Sequence, residues 1–190
     1  MTAELSRDIA LEAGRRCAGI NPHELWAALD VVETLHPRLI VDIRSEPAVW
    51  WAWWSTGAEL VALADRDPAP EDGFTGDRWP TSVSVVVGDP RQPVPYGRVG
   101  DLIGGRAVDV LVLGGRDTEH GIRADYQRFA PMVRPGGLVL VRGIANFRYP
   151  GVRRFWAGLR PCGGKELVGS VDPDGYGLVH VHGREAATHG

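Results

Sequence analysis

Five short, mostly apolar runs constrain what this chain can fold into more than any other feature. They are RLIVDI, ELVALAD, SVSVVVGD, AVDVLVLGG and GLVLVRG, which begin at residues 38, 59, 82, 107 and 137. Runs of this kind are typical of strands buried on both faces, and therefore of parallel sheets covered by helices. Segments with helical spacing alternate with them, as in GIRADYQRFAPMV before the fifth run. The pattern predicts an α/β fold with a doubly wound, mostly parallel sheet.

The two ends of the chain complete this arrangement. Residues 3–17 and 21–36 are predicted helices, and Asn21 followed by Pro22 is a typical helix start, with Glu24 three residues after the cap. Near the other end, KELVGSV and YGLVHVHG flank DPDG and predict an antiparallel hairpin with a tight turn. We therefore expect a single domain over 1–190, with N-terminal helices in 1–36 and an α/β core in 37–190.

Composition and charge exclude several classes of function. The 190 residues carry a formal net charge of −3, so nothing electrostatic favours a nucleic-acid partner. The N-terminus mixes acidic and basic residues without an apolar signal-like run, and no uncharged window has the length of a membrane span. The two cysteines, Cys17 and Cys162, lack metal-ligand spacing. We expect a cytoplasmic protein that binds neither nucleic acid nor membrane.

The order of these segments resembles class I S-adenosylmethionine-dependent methyltransferases, closest to the metal-dependent O-methyltransferase and cephalosporin-hydroxylase branch. The resemblance covers residues 21–159, and DYQRFAPMVRPGGLVLV and GVRRFW carry its strongest match. It implies a Rossmann-like methyltransferase sheet ending in a C-terminal antiparallel hairpin. It also implies S-adenosylmethionine as cofactor, with a divalent metal beside it.

Each cofactor contact that the resemblance implies lies at the end of a strand. Asp42 matches the acid after the first strand, and Asp65, with Asp67 as a nearby substitute, matches the acid that bonds the ribose hydroxyls. Gly88 and Asp89 match the pair that contacts adenine. These residues are the cofactor-binding candidates if S-adenosylmethionine is bound. Asp42 has a second interpretation, as a cap of the following helix.

The loop after the first strand departs from the family. Where the family has glycines that let the backbone approach the cofactor, this chain has Arg44, Ala48 and Val49. Side chains at these positions occupy space that bare backbone leaves open. Pro47 also removes a backbone donor. The departure predicts that the cofactor site is filled in.

The metal motif departs from the family as well. Ungapped alignment of LGGRDTEHGIRAD puts Gly114 at the aspartate position and Asp117 at the histidine position, and the later acid becomes Gly143 beside Arg142. Too little negative charge remains for a hard cation, so we expect no metal site. A displaced pair, Asp117 and His120, keeps the three-residue spacing. These two and Arg142 are weak catalytic candidates, and the alternative for His120 is a solvated loop residue.

Four tryptophans, Trp50, Trp51, Trp53 and Trp54, follow the altered loop. Four indoles in five residues exceed what one helix face buries against a sheet, because each removes roughly 150–250 Å² from water. In one interpretation, two lie in the core and two cover its edge. In the others they fill the vacated cofactor cavity, anchor a protein interface, or stack on a sugar or aromatic ligand.

Two hypotheses of function follow. In the first, a methyltransferase-fold protein has lost metal-dependent methyl transfer, carries no cofactor, and serves as a binding or assembly module. Its partner is another protein or a second copy, and the four tryptophans form the interface. In the second, the protein is an active, metal-independent S-adenosylmethionine-dependent O-methyltransferase of a small hydroxylated or glycosidic substrate.

Overall fold

The computed structural model describes residues 3–17, 19–68, 80–115, 118–171 and 173–182. Within these ranges seven strands form one sheet. The strands are β1 (Leu39–Ile43), β2 (Glu59–Ala64), β3 (Val83–Val87), β4 (Val108–Leu113), β5 (Val133–Arg142), β6 (Lys165–Leu167) and β7 (Tyr176–His180). Their order across the sheet is β3-β2-β1-β4-β5-β7-β6.

Strand directions follow the prediction. β1 pairs in parallel with β2 and β4, β2 pairs in parallel with β3, and β4 pairs in parallel with β5. β7 is antiparallel to both β5 and β6. All residues of β1 and β4 are buried, as expected of strands covered on both faces. The predicted fold class, a mostly parallel Rossmann-like methyltransferase sheet with an antiparallel C-terminal hairpin, is confirmed.

Helices cover both faces of the sheet. They are α1 (Ala3–Arg16), α2 (Pro22–Thr34), α3 (Pro47–Trp54), α4 (Pro93–Ile103), α5 (Glu119–Phe129) and α6 (Pro150–Leu159). One apolar cluster joins α1, α2 and α3 to one face, and a second joins α4, α5 and α6 to the other. The N-terminal helices therefore share a hydrophobic cluster with the sheet. None of the described helices is long and apolar enough to cross a bilayer.

Helix α4 was not predicted, because its sequence PVPYGRVGDLI contains two prolines and two glycines. The prolines fall in the first turn, where a backbone N–H has no intrahelical partner and its loss costs little. Val99 and Ile103, four residues apart, are buried against the sheet. Packing of one apolar face therefore outweighs the weak local preference for helix.

The hairpin is looser than predicted. β6 has only three residues, and residues 168–175 join it to β7, so the predicted tight turn is wrong. The buried Glu24 carboxylate accepts hydrogen bonds from the backbone N–H groups of Gly169, Asp174 and Gly175. The Glu24 side chain thus binds the β6–β7 connection to α2, whereas in a capping box it would accept a hydrogen bond from the backbone of the N-cap residue. The cap itself is as predicted, since Asn21 Oδ1 accepts from the backbone of His23 and Glu24.

Candidate functional site

The candidate site is the crevice at the carboxyl ends of β1 and β4. The chain order reverses between these two neighbouring strands, since β2 and β3 lie to one side and β5 to the other. In open α/β sheets, ligands bind outside the strand ends at such a point. Three of the predicted cofactor acids, Asp42, Asp65 and Asp89, end or follow β1, β2 and β3 at this edge.

Asp42 is fully buried and faces α3. Its Oδ1 accepts hydrogen bonds from the Ser45 backbone (2.9 Å) and Trp50 Nε1 (3.3 Å), and its Oδ2 accepts from Trp53 Nε1 (2.9 Å). Burial raises the pKa of Asp42 to about 6, against the opposing effect of these hydrogen bonds. Both carboxylate oxygens are thus engaged within the chain. Asp42 braces the turn before α3, whose N-cap residue is Glu46.

The four tryptophans divide into two pairs. Trp50 and Trp53 are buried, with 1% and 0% of their surface exposed, because their indoles lie between α3 and the sheet and bond Asp42. The interface prediction is therefore wrong for these two. Trp51 is 40% exposed. Its ring centroid lies 4.8 Å from that of Trp54, which donates its indole N–H to Ser82 Oγ. Two tryptophans are core residues and two lie at its edge, as one interpretation predicted.

Arg44, and not an indole, fills the crevice. Its backbone is left-handed (φ 70°), and only 8% of its side chain is exposed. The guanidinium Nε lies 3.1 Å from Asp65 Oδ1, and Nη2 lies 3.3 Å from Asp89 Oδ1. Nη1 lies 4.0 Å from Asp125 Oδ2 on α5. One planar cation thus joins the predicted ribose and adenine acids to each other.

The backbone around Arg44 packs directly on the end of β4. A Cβ at Gly114 would lie 2.4 Å from Ser45 Oγ and 2.9 Å from Ser45 N, and a Cβ at Gly115 would lie 3.0 Å from Arg44 Cβ. No side chain therefore fits at position 114, which is where the family places a metal-binding aspartate. The altered cofactor loop and the altered metal motif therefore pack directly against each other.

The residues around the crevice do not fit S-adenosylmethionine in the way the resemblance implies. Asp42, Asp65 and Asp89 already bond groups of the chain. The cavity left beside Arg44 and Trp50 has a volume of about 170 Å³. Sites for drug-sized ligands typically enclose about 300–1,000 Å³. Gly88 has a packing role, because a Cβ there would lie 2.6 Å from Cγ of Pro95 in α4.

Of the weak catalytic candidates, the structure describes Arg142 and His120, and neither of them lines the cavity beside Arg44. Arg142, at the end of β5, is buried and donates to Asp174 Oδ2 and to the Gly19 carbonyl, both at 2.8 Å. Its Nη1 also pairs with Glu46. Arg142 therefore braces three connections of the fold. His120 is exposed on the first turn of α5, and Asp117 lies outside the described residues.

The second altered metal position also has a local structural cause. Gly143 has a φ of 88°, and a Cβ there would lie 3.3 Å from Tyr149 Cδ2, so a side chain would be strained and crowded. Among the residues that the structure describes, no three His, Cys, Asp or Glu side chains form a candidate metal cluster. The expectation that this chain holds no metal stays a prediction.

Sequence reasoning missed the partners of Arg44. It treated this residue only as an obstruction, and it used Asp125 only as an alignment anchor. A signal was present, because one arginine follows β1 while acids follow β2 and β3 at the same sheet edge. Opposite charges at adjacent strand ends indicate an ion pair across the crevice.

The buried Asp42 predicts a pH dependence of stability. The pKa of Asp42 is about 6 in the folded protein, against a reference value of 3.8. The stability that this raised pKa contributes is therefore fully present below pH 3.8 and is lost as pH rises through 6. We expect wild type to lose about 3 kcal/mol relative to Asp42→Asn between pH 3.8 and 7. Urea unfolding of both proteins across this range measures the difference. Asp30→Asn, at an exposed aspartate of α2, is the control and should track wild type. Parallel curves for wild type and Asp42→Asn would contradict the assignment.

Comparisons with known proteins agree with this fold. Neither a protein-family model nor a curated protein sequence matches the chain. Solved structures do match. An O-methyltransferase from Bacillus cereus in complex with SAH is 18% identical, with a TM-score of 0.61 over 93% of this chain and 90% of that one. An O-methyltransferase of tomaymycin synthesis from Streptomyces achromogenes, in complex with SAM, is 17% identical, with a TM-score of 0.63 over 94% and 90%.

A third match is the TDP-rhamnose 3'-O-methyltransferase of calicheamicin biosynthesis. It is 13% identical, with a TM-score of 0.60 over 81% of this chain and 77% of that one. Identities this low establish architecture and leave activity open. The chain has the class I S-adenosylmethionine-dependent methyltransferase fold, in the form found in O-methyltransferases.

Proposed function

We propose that this protein is a binding or assembly module with a methyltransferase fold, and that it performs no metal-dependent methyl transfer. The observation that carries the proposal is the position of Arg44. Its guanidinium lies in the crevice at the ends of the central strands and pairs with Asp65 and Asp89. These are the acids that would otherwise contact an adenosyl group.

The energetics of the crevice favour this arrangement over an occupied cofactor site. An entering ribose would have to replace the charged guanidinium at Asp65 with neutral hydroxyl donors, which form weaker hydrogen bonds to a carboxylate. Displacing Arg44 would also deprive the buried Asp125 of a nearby positive charge. Separating one partner from a buried charge typically costs about 3–5 kcal/mol. Cofactor binding would have to supply that energy.

The exposed half of the tryptophan segment supports a role in assembly. Trp51 keeps 40% of its surface exposed, and its ring contacts that of the half-buried Trp54 at a tilt of 43°. Large aromatic side chains held rigidly at a surface are frequent anchors of protein interfaces. We propose that this face binds a protein partner or a second copy of the chain.

A calorimetric titration with S-adenosylmethionine and S-adenosylhomocysteine tests the closed crevice. We expect no binding up to about 1 mM of either compound, a concentration that detects binding free energies of about −4 kcal/mol or more favourable. Binding in the micromolar range that Asp65→Ala weakens would overturn the proposal and establish an occupied cofactor site.

Light scattering after size-exclusion chromatography tests the assembly role in the same protein. We expect a homo-oligomer or a co-purified partner that Trp51→Ala releases. Leu102→Ala is the matched control, because Leu102 on α4 is also 40% exposed and lies on the other layer of helices. A monomer without partners, unchanged in Trp51→Ala, would contradict this role.

The second candidate function is metal-independent O-methylation of a small hydroxylated or glycosidic substrate. It is favoured by the acids retained at the strand ends and by structural neighbours solved in complex with SAM or SAH. Methyl transfer proceeds largely through positioning of the reactants, so it does not need a metal in principle. The cofactor titration separates the two candidates.

A further inference from the structure

A groove beside the closed crevice has the dimensions of a ligand site. Its volume is about 750 Å³, within the range of about 300–1,000 Å³ of small-molecule pockets. Three connections form its walls: residues 19–23 before and within the start of α2, residues 145–148 between β5 and α6, and the described residues near the end of the β6–β7 connection. The crevice cavity of about 170 Å³ is far smaller.

Hydrogen bonds hold the walls of the groove to one another. Asn21 Nδ2 donates to the Val171 carbonyl at 3.0 Å, which links the first wall to the third. Asn146 Nδ2 donates to Asp174 Oδ1 at 2.9 Å, and the Ala145 N–H donates to the Asp174 carbonyl at 2.9 Å, which link the second wall to the third. A pre-formed groove of this kind orders few groups when a ligand binds, and this favours affinity.

The groove exposes apolar side chains from two different walls. Phe147 is 76% exposed and Val171 is 74% exposed, and both line the same cavity together with Pro22 and Pro173. A single exposed apolar residue is ordinary, whereas several converging on one concavity are typical of a binding site. The lining therefore fits an apolar or aromatic body.

Arg148 supplies a positive charge to the lining of the groove. The guanidinium of Arg148 lies 5.5 Å from the centroid of the Phe147 ring. Within the described part of the chain, Arg148 has no carboxylate within ion-pair distance, and the other basic group lining the groove is the exposed His23. The lining carboxylate, Asp174, is compensated by Arg142 and Asn146.

An ion pair between the buried Arg142 and the partly exposed Glu46 lies between the groove and the crevice. A second cavity of about 220 Å³ shares residues with the groove and contains both Arg142 and Glu46. Glu46 also lines the crevice cavity, and its carboxylate pairs with Arg142. Occupation of the groove therefore requires no movement of Arg44.

We propose that this groove binds a small aromatic carboxylic acid, with the ring against Phe147 and the carboxylate paired to Arg148. An aromatic ring and an adjacent guanidinium together match a planar body that carries one negative charge. The site deepens the proposed binding function and rests on it in one respect, since it places the ligand outside the closed crevice.

Calorimetric titration with 2-naphthoate tests the site, with its uncharged analogue 2-naphthamide alongside. We expect 2-naphthoate to bind, 2-naphthamide to bind at least about tenfold more weakly, and Phe147→Ala and Arg148→Gln each to weaken 2-naphthoate by about tenfold. The matched controls are Arg153→Gln, at an exposed arginine on α6, and Val94→Ala, at an exposed apolar residue of α4. All four substituted side chains are exposed, so unchanged thermal unfolding should confirm intact folding.

Several outcomes would overturn the site. They are the absence of 2-naphthoate binding up to about 5 mM, equal affinity for the two probes, and equal losses in control and groove variants. None of these outcomes depends on S-adenosylmethionine. If neither 2-naphthoate nor the cofactor binds, the proposal for the groove is rejected and the proposal of a closed crevice stands. If the cofactor binds in the micromolar range and 2-naphthoate binds specifically in the groove, the proposal of a closed crevice is rejected and the proposal for the groove stands.

Discussion

Replacement of Trp53 by alanine is expected to lower the free energy of unfolding by about 4 kcal/mol. The Trp53 indole is 0% exposed, so its removal leaves a large cavity between α3 and the sheet. It also deprives the buried Asp42 carboxylate of a hydrogen bond of 2.9 Å from Nε1. Urea unfolding followed by far-ultraviolet circular dichroism gives the difference directly.

Two further variants divide that loss into its causes. Trp53→Phe keeps most of the apolar volume and removes only the donor to Asp42, so we expect a loss of about 2 kcal/mol. Trp51→Ala removes an indole that is 40% exposed and should cost less than about 1 kcal/mol. Equal losses for Trp51→Ala and Trp53→Ala would mean that the two residues do not differ in burial as described.

Replacement of Arg44 by alanine is expected to lower the free energy of unfolding by about 3 kcal/mol at pH 7. The cation pairs with three carboxylates, and one of these, Asp125, is buried. Asp65 and Asp89 are open enough to water to be resolvated, so Asp125 accounts for most of the cost. Urea unfolding at low and high salt measures the loss, and burial predicts a weak salt dependence.

Two neighbouring substitutions sharpen this prediction. Arg91→Ala removes an exposed arginine that pairs with the same Asp89 carboxylate, and should cost no more than about 0.5 kcal/mol. Arg44→Gly should be less destabilising than Arg44→Ala by about 1 kcal/mol, because glycine adopts the left-handed backbone at position 44 without strain. A neutral or stabilising Arg44→Ala would show that the guanidinium does not hold the crevice closed.

The crevice links two changes that look independent along the chain. The family's glycine loop follows β1, and its metal-binding aspartate follows β4, about seventy residues later. In this protein the Arg44–Ser45 backbone occupies the space that a side chain at position 114 would need, as the distance of 2.4 Å between a Gly114 Cβ and Ser45 Oγ shows. A side chain restored at position 114 alone would therefore clash, and both segments would have to change together.

Much of the fold was predicted because its causes are local. The apolar runs of β1, β2 and β4 indicate strands buried on both faces, and connection handedness leaves a doubly wound sheet as the simple arrangement. The start of α2 was likewise predicted from Asn21 and Pro22, since a cap acts within three residues. Helix α4 was missed because its formation depends on packing against the sheet and not on its own composition.

The sequence indicated which strand ends carry acids, but not which groups those acids contact. The acids at strand ends were identified from their place after each apolar run, and the structure puts Asp65 and Asp89 at one edge of the sheet. What those acids bond was not predictable, because Arg44 lies 21 residues from Asp65 and 45 from Asp89 along the chain. The same limit applies to the tryptophans, whose spacing does not reveal which indoles reach Asp42.

The amino-acid sequence by itself therefore determined most strands and helices, the mostly parallel direction of the strands and the presence of acids at the strand ends. These features follow from periodicity and from backbone hydrogen bonding, which act over a few residues. Only the tertiary structure decided that Arg44 joins the strand-end acids, that Trp50 and Trp53 bond Asp42, and that Glu24 holds the connection before β7. Those contacts depend on which side chains lie together in the low-dielectric interior. Close packing of the folded chain, and not separation along the sequence, brings them together.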